Sequence, residues 1–278
     1  MVGRVRVEWR WTQIIKRLDL RNLAWGSLDS GGSVGMLPKA IFKVKNKKYY
    51  VKMSAYNPYH GVYGIESISE VMASRLADIL KVPSVPMELV SALVAKDGKE
   101  FETYLCISPD YKKEGDRVVP FEVAYENRAR YTETPLEFAK RIGIVNDVYR
   151  MFIFDYIIAN LDRHGANIEL YLKNLRMAPL FDNGNSLYAT RDESEVTRKG
   201  YYVGHDNQAN NFVGHRSLLG NLYLIDRIVP IGTLKKSDRA MLFKDLGKII
   251  SRGRRDAIWR LITRRYEHAR EVCNFKRI

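Results

Sequence analysis

Three oxygen-bearing side chains define the chemistry this sequence can support. Asp162 and Asn167 stand five residues apart in Asn160-Leu161-Asp162-Arg163-His164-Gly165-Ala166-Asn167, and Asp182 follows fifteen residues later in Phe181-Asp182-Asn183-Gly184. Phosphoryl transfer needs a carboxylate to orient the attacking hydroxyl and further oxygen donors to hold magnesium on the nucleotide phosphates. Asp162 fits the first need, and Asn167 and Asp182 fit the second. Lys52, which closes Tyr49-Tyr50-Val51-Lys52, is placed like a strand lysine that contacts α- and β-phosphates. Eighteen residues beyond it, Glu70 has a helical position from which it can reach back to Lys52, with Glu66 one turn earlier as a rival. Upstream of both, Ser30-Gly31-Gly32-Ser33 can fold backbone N–H groups over phosphates as an anion nest.

The elements that must carry these residues follow from periodicity. Lys39 to Val44 and Lys48 to Met53 are β-rich runs around Lys45-Asn46-Lys47, so they read as a hairpin with Lys52 on its second strand. Apolar residues Ile65, Ile68, Val71, Met72, Leu76, Ile79 and Leu80 recur at helical spacing and predict a helix to Lys81, ended by Pro83 and Pro86. Met87 to Ala95 and Glu100 to Ile107 form a second hairpin through Lys96-Asp97-Gly98-Lys99. Past Ser108-Pro109-Asp110 the spacing turns helical, around Leu136 to Ile142 and Asn146 to Ala159, which sets a lobe boundary near residue 110, with lobes 1–109 and 110–278. A short hairpin, Ile168 to Tyr171 with Met177 to Leu180, returns Asp182 to the Asp162 loop, and Gly184 supplies a sharp turn after it. Thr190 to Asn211 is a polar loop, and Asp238 to Arg270 reads as two basic helices broken near Ser251-Arg252-Gly253.

Composition bounds the alternatives. The chain has 278 residues, 46% of them hydrophobic, enough for two lobes around a cleft. Its 46 Lys+Arg against 32 Asp+Glu give a net charge of +14, which favours nucleotides, nucleic acid, anionic lipid or acidic proteins as partners. Cys106 and Cys273 stand far apart, so neither a disulfide framework nor a zinc ribbon is expected, and His60, His205, His215 and His268 lack metal-ligand spacing. The start shows no secretory pattern, and no apolar run approaches the roughly 20 residues needed to span a bilayer. The expected location is therefore the cytoplasm, with export to a host cell left open.

Each feature also has a plainer reading. Asp162 and Asn167 alone can be turn-capping residues; their order with Lys52 and Asp182 is what favours a site. Gly31-Gly32 alone reads as a hairpin turn, Glu70 as a solvated helix residue, and His164 as a structural group bonding the loop backbone. Arg252, Arg254, Arg255, Arg260, Arg264 and Arg265 can form a solvated face or a nucleic-acid patch.

Taken in order, Ser30-Gly31-Gly32 with Pro38-Lys39, Tyr50-Val51-Lys52, the helix from Glu70 to Leu80, Asn160-x-Asp162-Arg163-His164-x-x-Asn167 and Phe181-Asp182-x-Gly184 resemble the HipA-like kinases. That family comprises kinase toxins of bacterial toxin–antitoxin pairs and exported pro-inflammatory relatives. Asp-Arg-His-x-x-Asn and Asp-x-Gly are more remotely similar to phosphoinositide kinases. The resemblance implies an α+β, two-lobed protein-kinase-like fold, with a small antiparallel-sheet N-lobe bearing one helix and a mainly helical C-lobe. It implies ATP and Mg2+ as cofactors, serine/threonine phosphorylation, and an antitoxin as a partner. Asp162 would be the catalytic base, Asn167 and Asp182 the metal ligands, and Lys52 the phosphate contact. Autoregulation in the family, with the serines of the glycine loop, adds self-phosphorylation at Ser27, Ser30 or Ser33 as an expectation. The other readings are a vestigial kinase-fold regulator, or a nucleic-acid binder using the basic carboxy-terminal helices, and a lipid kinase.

Overall fold

The computed structural model describes residues 6–7, 15–26, 37–273 and 276–277. Ser27, Ser30, Gly31, Gly32 and Ser33 of the predicted phosphate loop lie outside the described residues. The first half of the chain builds a sheet from β1 (Arg6–Val7), β2 (Lys16–Asp19), β3 (Lys39–Val44) and β4 (Lys47–Met53). A two-residue pair, β5 (Tyr56–Asn57) and β6 (Gly61–Val62), and then helix α1 (Glu66–Leu80) separate these from β7 (Glu88–Lys96) and β8 (Lys99–Pro109). Among the described residues the sheet has six strands in the order β1-β2-β7-β8-β4-β3. All neighbours are antiparallel except β2 and β7, which run parallel.

Turn chemistry fixes the two hairpins. Lys45 and Asn46 both have positive φ (45° and 64°), as do Asp97 and Gly98 (51° and 75°). Two consecutive positive-φ residues match the right-handed twist of the strands they join, and Asn, Asp and Gly tolerate that geometry best. Alternation then assigns the faces: Ala40, Phe42, Val51 and Met53 pack with Val90, Ala92, Val94, Leu105 and Ile107 in a small core on one side. Lys52 faces the other way, paired across the sheet with Cys106. Cys106 belongs to the larger core, which includes α1 and the C-lobe. Helix α1 is buried on nearly every side because it lies between sheet and C-lobe, and it ends at Lys81 in a left-handed cap.

The C-lobe opens with β9 (Val118–Pro120), α2 (Phe121–Arg128) and α3 (Pro135–Arg141), the last started by a Thr134–Glu137 capping box. Helix α4 (Val145–Ile158) forms the lobe's centre and is buried on most of its faces. After it come β10 (Asp162–Arg163), a single 3-10 turn (Gly165–Asn167) and β11 (Glu169–Tyr171), which pairs with β9. The rest comprises α5 (Glu193–Thr197), β12 (Asn210–Asn211), α6 (Leu218–Tyr223), β13 (Pro230–Ile231), α7 (Asp238–Leu242), α8 (Arg252–Cys273) and β14 (Lys276–Arg277). Among the described residues no helix is long and apolar enough to cross a membrane.

Three expectations change. The polar tract from Thr190 carries the short helix α5 and the strand β12, because Val196 buries against the lobe and Asn210–Asn211 pair with β10. The break expected near Ser251-Arg252-Gly253 spans 243–251, reaching Ser251 but not Arg252 or Gly253; Gly253 sits in the first turn of α8, where a Cβ would come within 2.8 Å of Thr197. Two of the six carboxy-terminal arginines are internal: Arg254 bonds the carbonyls of Tyr188 and Arg191, and Arg265 those of Tyr156 and Gly204, with its guanidinium 4.6 Å above the Tyr156 ring. Their charge satisfies internal carbonyls and does not face a solvent patch.

Candidate active site

The site is assembled around a buried ion pair. Helix α4 ends at Ala159, whose φ of 52° reverses the chain and sends Asn160 back onto Asp155 in the helix's last turn. Asn160 donates its carboxamide to Asp155 Oδ1 at 2.9 Å and accepts the N–H of Asp162 at 3.2 Å. Asp155 then takes one edge of the Arg163 guanidinium with both carboxylate oxygens, Nε at 3.0 Å and Nη2 at 2.8 Å, and each partner is 1% exposed. A buried charge pair is tolerated when its remaining donors are also bonded. Arg163 meets that condition by donating to the carbonyls of Phe181 (2.7 Å) and Asn167 (3.2 Å) and to Asn183 Oδ1 (2.5 Å). One side chain thus fastens the loop bearing Asp162 and Asn167 to the segment bearing Asp182.

The hairpin between them closes through the bridge Leu170 to Met177, with Ala178 N–H donating to the Glu169 carbonyl at 2.8 Å. Asp182 follows at φ 57°, a left-handed conformation that a non-glycine residue adopts at some cost. The sharp turn therefore falls on Asp182 itself. Gly184 acts in another way: a Cβ there would lie 3.3 Å from the Glu66 carbonyl and 3.4 Å from Glu70 Cγ, a tight contact, so the bare glycine lets this segment lie close against α1.

That contact completes a charged cluster. Lys52 Nζ lies 2.6 Å from Glu70 Oε1 and 2.8 Å from Asp182 Oδ1, while Glu70 Oε2 accepts the Asn183 N–H at 2.9 Å. Glu66 takes no part, since its carboxylate accepts the Ala55 N–H at 3.0 Å. Lys39, which sits opposite Lys52 in the β3–β4 ladder, brings a second ammonium to 3.5 Å from Asp182 Oδ2. Burial works against the charge on Lys52, but the carboxylates of Asp182 and Glu70 outweigh it and hold the ammonium above its ordinary value. Asp182 likewise overcomes its burial through Lys52 and Lys39 and is held below the usual carboxylate range. Both groups stay ionised at neutral pH. Cys106, beside them, has its thiol pushed up by burial and then by the nearby Glu70 carboxylate, which leaves it unreactive.

Asn167 donates its carboxamide to the Asp162 carbonyl at 3.1 Å, which turns its oxygen the other way. Asn167 Oδ1 is buried and has no hydrogen-bond partner. An orphaned buried acceptor is rare in folded proteins and suits a ligand that brings its own positive charge. Among the described residues no cluster of three or more His, Cys, Asp or Glu could hold a metal unaided. A hard cation carried on phosphate oxygens needs only one or two protein oxygens, so Asn167 and Asp182 fit magnesium arriving with a nucleotide. Asp162 itself is partly exposed and accepts the Asn210 carboxamide at 3.1 Å.

Where the lobes meet, the Tyr111 ring stacks on Phe181 with centroids 6.5 Å apart, and its hydroxyl donates to Glu169. Burial, with Asp110 adding to it, pushes Glu169 up to about 7. The sequence motifs did not point to Asp155, Glu169 or Asn210 as parts of the site. Arg163 and Lys39 stood inside the quoted motifs, which was the available signal for them.

No protein-family model matches the chain, and no curated protein matches it in sequence. Its fold does have solved counterparts. The proinflammatory kinase CtkA of Helicobacter pylori superposes with a TM-score of 0.60 at 15% identity, over 92% of this chain and 96% of that one. The chain has the two-lobed protein-kinase fold. The HipA toxin of Shewanella oneidensis, solved with HipB and operator DNA, aligns at 13% identity and a TM-score of 0.40, over 90% of this chain and 58% of its own. The Helicobacter pylori kinase is of the kind the sequence motifs resemble. In this kinase fold the sheet with α1 is the N-lobe, and the helices around α4 form the C-lobe.

Proposed function

We propose that the protein is an ATP- and magnesium-dependent protein serine/threonine kinase. The observation that carries this reading is the Lys52 contact with both Glu70 and Asp182, made while Arg163 ties the Asp162 loop to the carbonyl just before Asp182. Lys52, held extended by Glu70, would contact the α- and β-phosphates, and Asn167 Oδ1 with the Asp182 carboxylate would hold the metal. Magnesium, when bound, supplies charge neutralisation along the phosphates. Asp162 orients the acceptor hydroxyl and takes its proton as that oxygen bonds to the γ-phosphorus, with the bond to the β-phosphate oxygen breaking and ADP leaving. The catalytic contribution is positioning and fixed charge, which suits a site whose parts are already hydrogen-bonded.

The serine/threonine acceptor and an antitoxin partner rest on the sequence resemblance. The nucleic-acid reading is weakened by Arg254 and Arg265, which are spent on internal carbonyls. Labelled ATP with magnesium and a generic protein substrate tests the proposal. Asp162→Asn should keep the melting temperature and nucleotide affinity of the wild type while losing transfer by about 10²- to 10⁴-fold. Equal rates in the two proteins would refute the assignment.

A further inference from the structure

Asp162 is reached by a segment 48 residues away that no motif marks. β10 and β12 run parallel with Asp162 opposite Asn210 and Arg163 opposite Asn211. Two backbone bonds fix that register, Asn210 N–H to the Leu161 carbonyl at 2.8 Å and Phe212 N–H to the Arg163 carbonyl at 3.2 Å. The pairing puts the Asn210 carboxamide 3.1 Å from Asp162 Oδ1. Among the described residues Asp162 Oδ2 accepts no hydrogen bond, so one carboxylate oxygen is tethered and the other remains for a substrate hydroxyl.

The segment that presents Asn210 is braced on both sides. Ala209 N–H bonds the Arg216 carbonyl at 3.0 Å and Leu218 N–H the Asn207 carbonyl at 3.0 Å, closing a loop around it. Asn211 Oδ1 gathers the N–H groups of Val213 and Gly214 at 3.0 and 2.8 Å. Arg265, fully buried on α8, holds the Gly204 carbonyl at 3.0 Å and also reaches Asn207. Asn210 itself is exposed, so this bracing serves no burial of its side chain. A carboxylate joined to its chain through rotatable bonds needs such a tether to keep one oxygen aimed, and misplacement by about 1 Å can cost roughly 10²-fold in rate.

We propose that Asn210 is a positioning residue for the catalytic base, fixing the Asp162 carboxylate so that Oδ2 faces the acceptor hydroxyl. This rests on Asp162 acting as the base. Asn210→Ala is expected to lower kcat by about ten- to a hundredfold with KM for ATP and nucleotide affinity unchanged. Asn210→Asp, which sets a like charge against Asp162, should be at least as impaired. Asn210→Gln, which keeps the carboxamide, should recover part of the loss. In the Asp162→Asn background, Asn210→Ala should change nothing further, because the group it orients is gone. Calorimetry and melting curves exclude misfolding as the cause. The Asn210 carboxamide ¹⁵N–¹H resonances, followed without nucleotide, should shift on Asp162→Ala. Wild type that transfers phosphate, with Asn210→Ala equally fast or with fully additive losses, overturns this proposal alone. Wild type with no transfer at all overturns it together with the assignment of the base.

Discussion

At the Lys52 end of the site every charge already touches its opposite: Lys52 meets Glu70 at 2.6 Å and Asp182 at 2.8 Å, and Lys39 stands 3.5 Å from Asp182. At the other end Asp162 is partly exposed, forms no ion pair among the described residues, and has one carboxamide as its side-chain partner. Under the proposed kinase reading, the difference follows from what each end would bind. Phosphates and a divalent cation bring several charges, and a cluster balanced between two ammonium groups and two carboxylates can receive them by exchanging partners without leaving a bare ion inside the protein. On the same reading the Asp162 end would handle one proton on a neutral group, so it would need aim more than charge. Between the two lies Arg163, which belongs to neither end and holds both in register.

That contrast can be broken at several points, beginning with the junction. Arg163→Met should strip Asp155 of its cation while both remain buried, costing about 3–5 kcal/mol of stability by urea unfolding. A fully stable variant would mean that the two ends are held together by something else. At the charged end, Glu70→Gln should cost about ten- to a hundredfold in kcat/KM for ATP, the scale of losing one charged hydrogen bond. Glu66→Gln should stay within about twofold, because a neutral acceptor can still serve the Ala55 N–H. Equal effects of the two would remove the distinction between them that the geometry draws.

The smallest effect concerns pH. Glu169 has its value raised from 4.5 to about 7, so the folded state holds a proton that the unfolded chain releases. Its favourable contribution is complete below 4.5 and is lost as pH rises through about 7. Glu169→Gln should therefore melt a few degrees higher than wild type above that range and equal it at acidic pH. Asp182 behaves in the opposite sense: its value is depressed, so its contribution persists at neutral pH and fades only in strong acid.

Much of the N-lobe was legible because local rules fix it. Asn46 and Gly98 mark hairpin turns, strand alternation assigns the faces, and the apolar spacing from Ile65 to Leu80, read as a helix from Ile65 to Lys81, gives α1 within a residue at each end. The C-lobe was harder past Asp182. Val196 and Asn210 become ordered through contacts with distant elements, and nothing in their neighbours' composition announces a helix or a strand. Arg254 and Arg265 look like any other basic residues on a charged helix until the carbonyls they satisfy are known.

By itself, then, the sequence named the side chains that the proposed chemistry would use and determined the order in which the chain presents them and the local elements that carry them, since these depend on residue type and short-range spacing. Only the tertiary structure decided that Lys52 meets Glu70 and not Glu66, that Gly184 yields room for α1, and that Asn210 reaches Asp162. Those outcomes depend on which distant segments come within a few ångströms of each other, and hydrogen bonds and ion pairs act only at that range.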